Sequence, residues 1–302
     1  YNFNEYFNII YNFYLININN KNEKNNKIIK NNLKESNITI FNLIIYYIIG
    51  YDYYFEKKEI NKDKLELIDI DKAYYINLND SLKRNKNMID ILDNFKINYE
   101  RYEGLNGKKI NNIRNEYFIL NKSEKLDNLN NTNSEYAVLY SHLNLLDKIN
   151  KIDIDDKYIL ILEDDLCLDF NNYWEKSLLK IIEEAPDDWE IIMLGYFTLN
   201  TIFEKDYRLW NNDWSALSYI IKKEKLKKIK ENKIENKYKL YEDVNVADNY
   251  IFRLFKTYLY KYPYFTINNN NKSTFHNDHD LYKKIYKNIN YIILNYLIDK
   301  YF

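Results

Sequence analysis

Three consecutive acids, Glu163, Asp164 and Asp165, follow a run of five mostly apolar residues, YILIL at 158–162. A strand that is buried on both faces reads as such a run, and open α/β sheets bind ligands beyond the carboxyl ends of their strands. Side chains alternate along an extended chain, so Glu163 and Asp165 point to one side and Asp164 to the other. Paired carboxylates are ligands that Mg²⁺ and Mn²⁺ prefer. The pattern predicts a divalent-cation site, with a solvated strand end as the alternative.

The elements that must position these acids alternate between strands and helices from residue 73 onward. Strands are predicted at 73–78, 97–104, 158–162, 189–195 and 214–221, with an extended segment at 258–265. Helices are predicted after a cap at Asp80 or Ser81, after a cap at Ser134, at 173–185, 222–233 and 246–256, and in the tail at 281–302. This alternation is typical of an α/β fold with a mainly parallel central sheet flanked by helices.

The first seventy residues have a different pattern. Two apolar and aromatic segments, 3–18 and 38–55, predict a pair of helices, and the charged stretch 56–72 predicts a linker. The expected organisation is a small helical segment at 1–70 followed by one domain at 71–302.

Composition excludes several classes of protein. The formal net charge is -1, with 44 basic and 45 acidic residues, whereas binding to nucleic acid phosphates needs a basic surplus. The single cysteine, Cys167, excludes an intrachain disulfide framework and a zinc cluster. No apolar run reaches the roughly 18 residues of a membrane span, and no signal peptide is visible, so we expect a cytoplasmic protein. A homo-oligomer is left open.

Several segments resemble the family 25 glycosyltransferases, the lipooligosaccharide and procollagen galactosyltransferase group. Their order and spacing match over roughly 73–275. The matching segments are YYINLNDSLKRNKNMIDILDNFKINYERYEGLNG from 74, SEYAVLYSHLNLLDKI from 134, YILILEDDLCLDF from 158, DDWEIIMLG from 187, WSALSYIIKKEKLKKI from 214 and VADNYI from 246.

The resemblance implies a GT-A-like (Rossmann-like) fold and a reaction. A sugar, namely galactose, glucose or N-acetylglucosamine, would move from a UDP-sugar to a hydroxyl of a glycan or protein, with inversion and with Mn²⁺ or Mg²⁺ as cofactor. Two alternatives remain open at this point. One is a sugar-binding or structural protein without activity, and the other is a Mg²⁺-dependent phosphoryl or nucleotidyl transferase.

The resemblance also implies roles for single residues. The donor nucleotide would be bound near Arg84 and Asp164, with Asn77 and Leu78 lining the pocket through backbone contacts and His142 close by.

For catalysis, Asp248 matches the acid that would accept the proton of the acceptor hydroxyl, and Glu242 and Asp243 are the alternatives. The metal would be held by Glu163 and Asp165. A third metal ligand is expected from the stretch STFHNDHD, with His276 favoured over His279, Asp278 and Asp280.

Overall fold

The computed structural model describes residues 62–120, 131–153, 155–168, 171, 174–198, 205–241 and 246–267. These residues belong to one structural unit, which spans 55–293. The N-terminal helical pair and the tail helix at 281–302 that the sequence predicts lie outside the described residues.

The strands in the described ranges, in chain order, are β1 (Lys72–Asn77), β2 (Asn98–Glu103), β3 (Phe118–Leu120), β4 (Tyr158–Glu163), β5 (Leu166–Cys167), β6 (Ile191–Phe197), β7 (Tyr207–Leu209), β8 (Trp214–Lys222), β9 (Lys233–Ile234), β10 (Lys237–Leu240), β11 (Thr257–Tyr260) and β12 (Thr266–Ile267). The helices there are α1 (Lys62–Leu65), α2 (Leu82–Leu92), α3 (Ile113–Tyr117), α4 (Asn133–Lys151), α5 (Leu178–Glu184), α6 (Lys227–Glu231) and α7 (Ala247–Leu254).

The central sheet has seven strands in the order β2-β1-β4-β8-β6-β11-β7. β1 is parallel to β2 and to β4, and β11 is parallel to β6. β8 runs antiparallel to both of its neighbours, and the edge strand β7 is antiparallel to β11. The α/β prediction is therefore confirmed, and the sheet is mixed, with β8 reversed at its centre.

Alternate residues of β4 face two different cores, which is why the strand is apolar throughout. Ile159 and Ile161 join the cluster that contains α4 and α7 residues. Leu160 and Leu162 join the cluster that contains α2 and α5 residues. All four side chains are fully buried. Helices thus cover both faces of the sheet, and its carboxyl edge is left for polar groups.

The N-cap of helix α4 lies two residues before the predicted cap at Ser134. Thr132 is the N-cap, and its hydroxyl accepts a hydrogen bond from the backbone N–H of Glu135. The Glu135 carboxylate accepts in return from the Thr132 backbone N–H at 2.6 Å. This reciprocal capping box stabilises the helix start better than Ser134 could, because it satisfies two backbone donors at once.

Two predicted helices are shorter than their sequence patterns suggest. The helix expected at 173–185 begins at Leu178, because Ser177 is its N-cap and accepts from the Lys180 backbone N–H. The basic helix expected at 222–233 starts later, because Lys222 still pairs with Tyr158 in the sheet. A single 3₁₀ turn, Lys223–Lys225, separates the end of β8 from α6.

The linker prediction is wrong for residues 62–70. Leu65, Ile68 and Ile70 are at most 3% exposed and pack into the core beside α2 and α5. The Asp69 carboxylate also accepts from the Leu179 backbone N–H at 2.9 Å. This stretch has many charged residues, so its composition indicated a linker, although it also contains these three buried apolar side chains.

None of the helices in the described ranges combines the length and the apolarity needed to cross a bilayer.

Candidate active site

The predicted site lies at one edge of the central sheet, where three of its strands meet. The carboxyl ends of β1 and β4 lie side by side, with Ile76 opposite Glu163. Because β8 runs antiparallel to β4, with Ser218 opposite Leu162, its amino end projects past the same edge. The start of α7 is tied to that end, since the Ser215 backbone N–H donates to the Asp248 carboxylate at 2.9 Å.

Asp164 is held by hydrogen bonds on both of its oxygens. The Asn77 side-chain amide donates to Oδ2 at 2.7 Å, and Arg84 Nη1 donates to Oδ1 at 2.9 Å. Burial raises the pKa of Asp164, and the lowering effects of Arg84 and Asn77 do not fully offset it. Asn77 therefore acts through its side chain, whereas the sequence predicted backbone contacts.

The orientation of Asn77 is fixed by an arginine that the sequence analysis did not single out. Arg101 Nε donates to Asn77 Oδ1 at 2.9 Å, so the amide group must present its NH₂ to Asp164. Arg101 Nη2 donates to Asn79 Oδ1 at 2.8 Å as well. One polar network thus runs from β2 through β1 to the acids after β4.

Asp165 lies beside the same arginine but is poorly compensated. Arg84 Nη1 is 3.5 Å from Asp165 Oδ2, while Asp165 Oδ1 is buried and has no hydrogen-bond partner within the described ranges. Burial and then the charge of Glu163 raise the pKa of Asp165 to about 7, against the lowering effect of Arg84. A buried carboxylate oxygen without a donor is unfavourable unless a ligand completes it.

Glu163 is connected to the core through a histidine. His142 Nε2 is 3.1 Å from Glu163 Oε1, and His142 Nδ1 is 3.1 Å from the Tyr219 hydroxyl. The prediction placed His142 near the site, and the structure shows it behind Glu163. Tyr219 had not been predicted as part of the site.

Asp248 is the second residue of α7, and its carboxylate accepts two backbone N–H groups. The donors are Ser215 at 2.9 Å and Asn249 at 3.0 Å. Burial raises the pKa of Asp248; these N–H groups lower it, and the charge of Glu163 raises it again. Glu163 is therefore near enough for its charge to act on the Asp248 carboxylate.

Ser215 adopts a left-handed backbone conformation with φ of 87°. This φ is unfavourable for a residue with a Cβ, and strain of this kind is found preferentially at functional sites. Here it turns the Ser215 N–H toward Asp248.

The structure brings most of the predicted residues together. One set of contacts joins Asn77, Arg84, Asp164 and Asp165, and a second joins His142 to the adjacent Glu163. Leu78 follows β1, and its carbonyl accepts from the Ser81 N–H at 2.9 Å.

The remaining predicted residues, Glu242, Asp243 and His276, lie outside the described residues. Within the described ranges, no three His, Cys, Asp or Glu side chains are grouped closely enough to hold a metal. Of the three predicted metal ligands, Glu163 and Asp165 lie in the described ranges and His276 lies outside them.

The fold is that of an α/β domain, and the acids lie at the carboxyl edge of its sheet, where open α/β sheets bind their ligands. The model of glycosyltransferase family 25 (LPS biosynthesis protein) matches residues 70–253, which is more than half of the chain. The chain therefore belongs to glycosyltransferase family 25, and the resemblance read from its sequence is confirmed. The match includes every described site residue from Asn77 to Asp248. No curated protein matches the chain.

Proposed function

We propose that this glycosyltransferase moves a sugar from a UDP-sugar to a hydroxyl of a glycan or protein acceptor, with inversion, on a GT-A-like fold. A divalent cation, Mn²⁺ or Mg²⁺, would be held by Glu163 and Asp165. The observation that carries the proposal is the gathering of Glu163, Asp165 and Asp248 at one edge of the sheet, where burial and the charge of Glu163 raise the pKa values of Asp165 and Asp248.

The donor set fits a hard cation. Asp165 offers a buried oxygen that has no hydrogen-bond partner in the part of the chain that the structure describes. Glu163 is oriented by His142, and its charge adds to that of Asp165. Carboxylate oxygens are the ligands such cations prefer, and His276 is the proposed third ligand. The cation would offset the negative charge that grows on the leaving UDP.

Arg84 would bind the diphosphate of the donor. Asp164, anchored by Asn77, holds its guanidinium at 2.9 Å. A guanidinium that is fixed in this way needs little reorganisation to pair an anionic ligand.

Asp248 is the proposed base. Its carboxylate is held by two backbone N–H groups, which leaves lone pairs to accept the proton of the acceptor hydroxyl. Its raised pKa makes it a stronger base than an ordinary carboxylate, and a carboxylate that binds a metal would be a weaker one. If Asp248 has another role, Glu242 and Asp243 are the next candidates.

A panel of UDP-sugars tests this function. The protein is incubated with UDP-galactose, UDP-glucose or UDP-N-acetylglucosamine in the presence of Mn²⁺, and released UDP is measured with and without EDTA. We expect one sugar to give Mn²⁺-dependent release. Phosphatase substrates run in parallel would expose a phosphoryl transferase. Intact UDP-sugars despite measurable binding would contradict the proposal and indicate a sugar-binding protein without activity.

A further inference from the structure

Three polar groups from three elements form a chain that ends at Glu163. Tyr219 comes from β8, His142 from α4 and Glu163 from the end of β4. The two contacts are each 3.1 Å long, and the rings of Tyr219 and His142 stack with an angle of 29°. Tyr219 is 0% exposed and His142 is 1% exposed. Buried polar groups of this kind need a partner for every proton.

The chemistry of the two ends decides where the protons lie. The Glu163 carboxylate only accepts, so His142 Nε2 must carry a hydrogen and donate it. In the neutral imidazole Nδ1 is then an acceptor, and the Tyr219 hydroxyl donates to it. The opposite tautomer would place a lone pair of Nε2 against the carboxylate at 3.1 Å.

We propose that Tyr219 is a positioning residue for the cation site. Its hydroxyl donates to His142 Nδ1 and so holds the imidazole ring in place, and His142 in turn aims Glu163 at the cation. This inference rests on the proposed function, since Glu163 is there a metal ligand. Groups behind a ligand commonly fix its orientation and change metal affinity by about 10–100-fold.

The Tyr219 ring has a separate packing role, so the hydroxyl can be tested alone. The ring meets Phe252 edge to face at a centroid distance of 5.6 Å. Tyr219→Phe keeps this contact and removes only the hydroxyl. The control is Tyr196→Phe. Tyr196 lies on the neighbouring strand β6 and is also buried, and its hydroxyl donates to the Lys261 carbonyl.

The first measurement uses the full chain without metal. The chain has three histidines, so ¹⁵N-histidine NMR can resolve the His142 signal, with His142→Gln giving the assignment. We expect the Nε2–H tautomer in the parent and in Tyr196→Phe, and in Tyr219→Phe a shifted Nδ1 signal, because this nitrogen loses its hydrogen-bond donor. An Nδ1–H signal in the parent, or an unchanged signal in Tyr219→Phe, would overturn the proposal.

The second measurement is the affinity for Mn²⁺ alone, followed by electron paramagnetic resonance of the free ion. We expect Tyr219→Phe to weaken binding by about tenfold and Tyr196→Phe to leave it unchanged. Gln at 142 can donate to Glu163 without help from Tyr219, so adding Tyr219→Phe to His142→Gln should change nothing further.

Equal affinity in the parent and in Tyr219→Phe would overturn the positioning role. A parent that binds no Mn²⁺ would instead overturn the cation site of the proposed function, and the NMR result would still decide the tautomer.

Discussion

Both the amino edge and the carboxyl edge of the central sheet carry acids, but the charges of these acids are compensated differently. At the amino edge, Glu190 precedes β6, and its carboxylate accepts from Lys228 Nζ and from the Lys256 backbone N–H. Burial alone would raise the pKa of Glu190, but Lys228 and the Lys256 N–H outweigh it and lower the pKa. This acid is paired with a cation and stabilises the fold.

At the carboxyl edge the balance is reversed. Arg84 is paired with both Asp164 and Asp165, while Asp248 accepts from two backbone N–H groups. The pKa values of Asp164, Asp165 and Asp248 are all raised, with burial as the largest cause. Acids that are gathered against their own repulsion indicate a site built for a ligand. We interpret the amino edge as organised for stability and the carboxyl edge, in line with the proposed function, for binding.

The largest effect is expected from Asp248. Asp248→Asn removes the proposed base but keeps an oxygen that can accept the Ser215 N–H. Transfer to an acceptor should fall by about 10²–10⁴-fold, the range for losing a general base. Binding of Mn²⁺ and UDP, measured by calorimetry, should remain. Parallel loss of UDP binding would place Asp248 on the donor side and move the base to Glu242 or Asp243.

Asp165→Asn should damage activity and improve stability at once. Losing one strong electrostatic ligand should lower UDP release by at least about a hundredfold. Without metal, removing the poorly compensated charge should raise the free energy of unfolding by about 1–3 kcal/mol at about pH 8. Near-normal turnover would remove Asp165 from the cation site.

The pH dependence of that gain follows from the pKa of Asp165, about 7 in the fold against an ordinary value of 3.8. Between these values the folded protein holds a proton that the unfolded chain has lost, so stability falls as the pH rises. The advantage of Asp165→Asn should therefore grow from about pH 4 to about pH 7 and then stay constant. Urea unfolding of the variant and the parent in EDTA at several pH values measures this stability difference. A difference that does not change with pH would contradict the raised pKa of Asp165.

Glu190→Gln is the matching change at the amino edge and should act in the opposite sense. It leaves Lys228 without its carboxylate, so the free energy of unfolding should fall by about 1–3 kcal/mol at neutral pH. Because the pKa of Glu190 is lowered from 4.5, its contribution is present above that pH and lost as the pH falls further. The deficit should therefore shrink toward about pH 4, while UDP release stays near normal. A gain in stability for Glu190→Gln would mean that acids at the two edges affect the free energy of unfolding in the same way.

The smallest effect concerns the strained residue. Ser215→Gly should stabilise the fold by up to about 1 kcal/mol, because glycine tolerates a φ of 87°. Ser215→Ala keeps the Cβ and should give no gain. The looser backbone should lower kcat several-fold by releasing the N–H that holds Asp248. A glycine variant that is no more stable than the alanine variant would show that the backbone is unstrained.

The strands were predictable because β4, β6 and β8 are apolar runs, and YILIL locates the acids at the end of β4. The reversed direction of β8 was not predictable, since an apolar run has the same pattern in either orientation. The partners of the acids were equally hidden. Asn77 and Asp164 are 87 positions apart, and His142 and Tyr219 are 77 apart. Such pairings depend on sheet order, which local patterns do not encode.

The contacts of single side chains were harder to predict than the strands and helices that carry them. Arg84 was expected to meet the nucleotide, and the structure shows it against Asp164 and Asp165. Arg101 received no role from the sequence, because its function is to orient Asn77 across two paired strands.

The most direct test of the claim that the carboxyl edge binds a cation is anomalous diffraction from crystals soaked in MnCl₂ and UDP. We expect a manganese peak within about 2–2.5 Å of oxygens from both Glu163 and Asp165. The same soak of Asp165→Asn crystals should give a much weaker peak. A manganese peak elsewhere on the protein, or UDP bound at this edge with no metal, would contradict it.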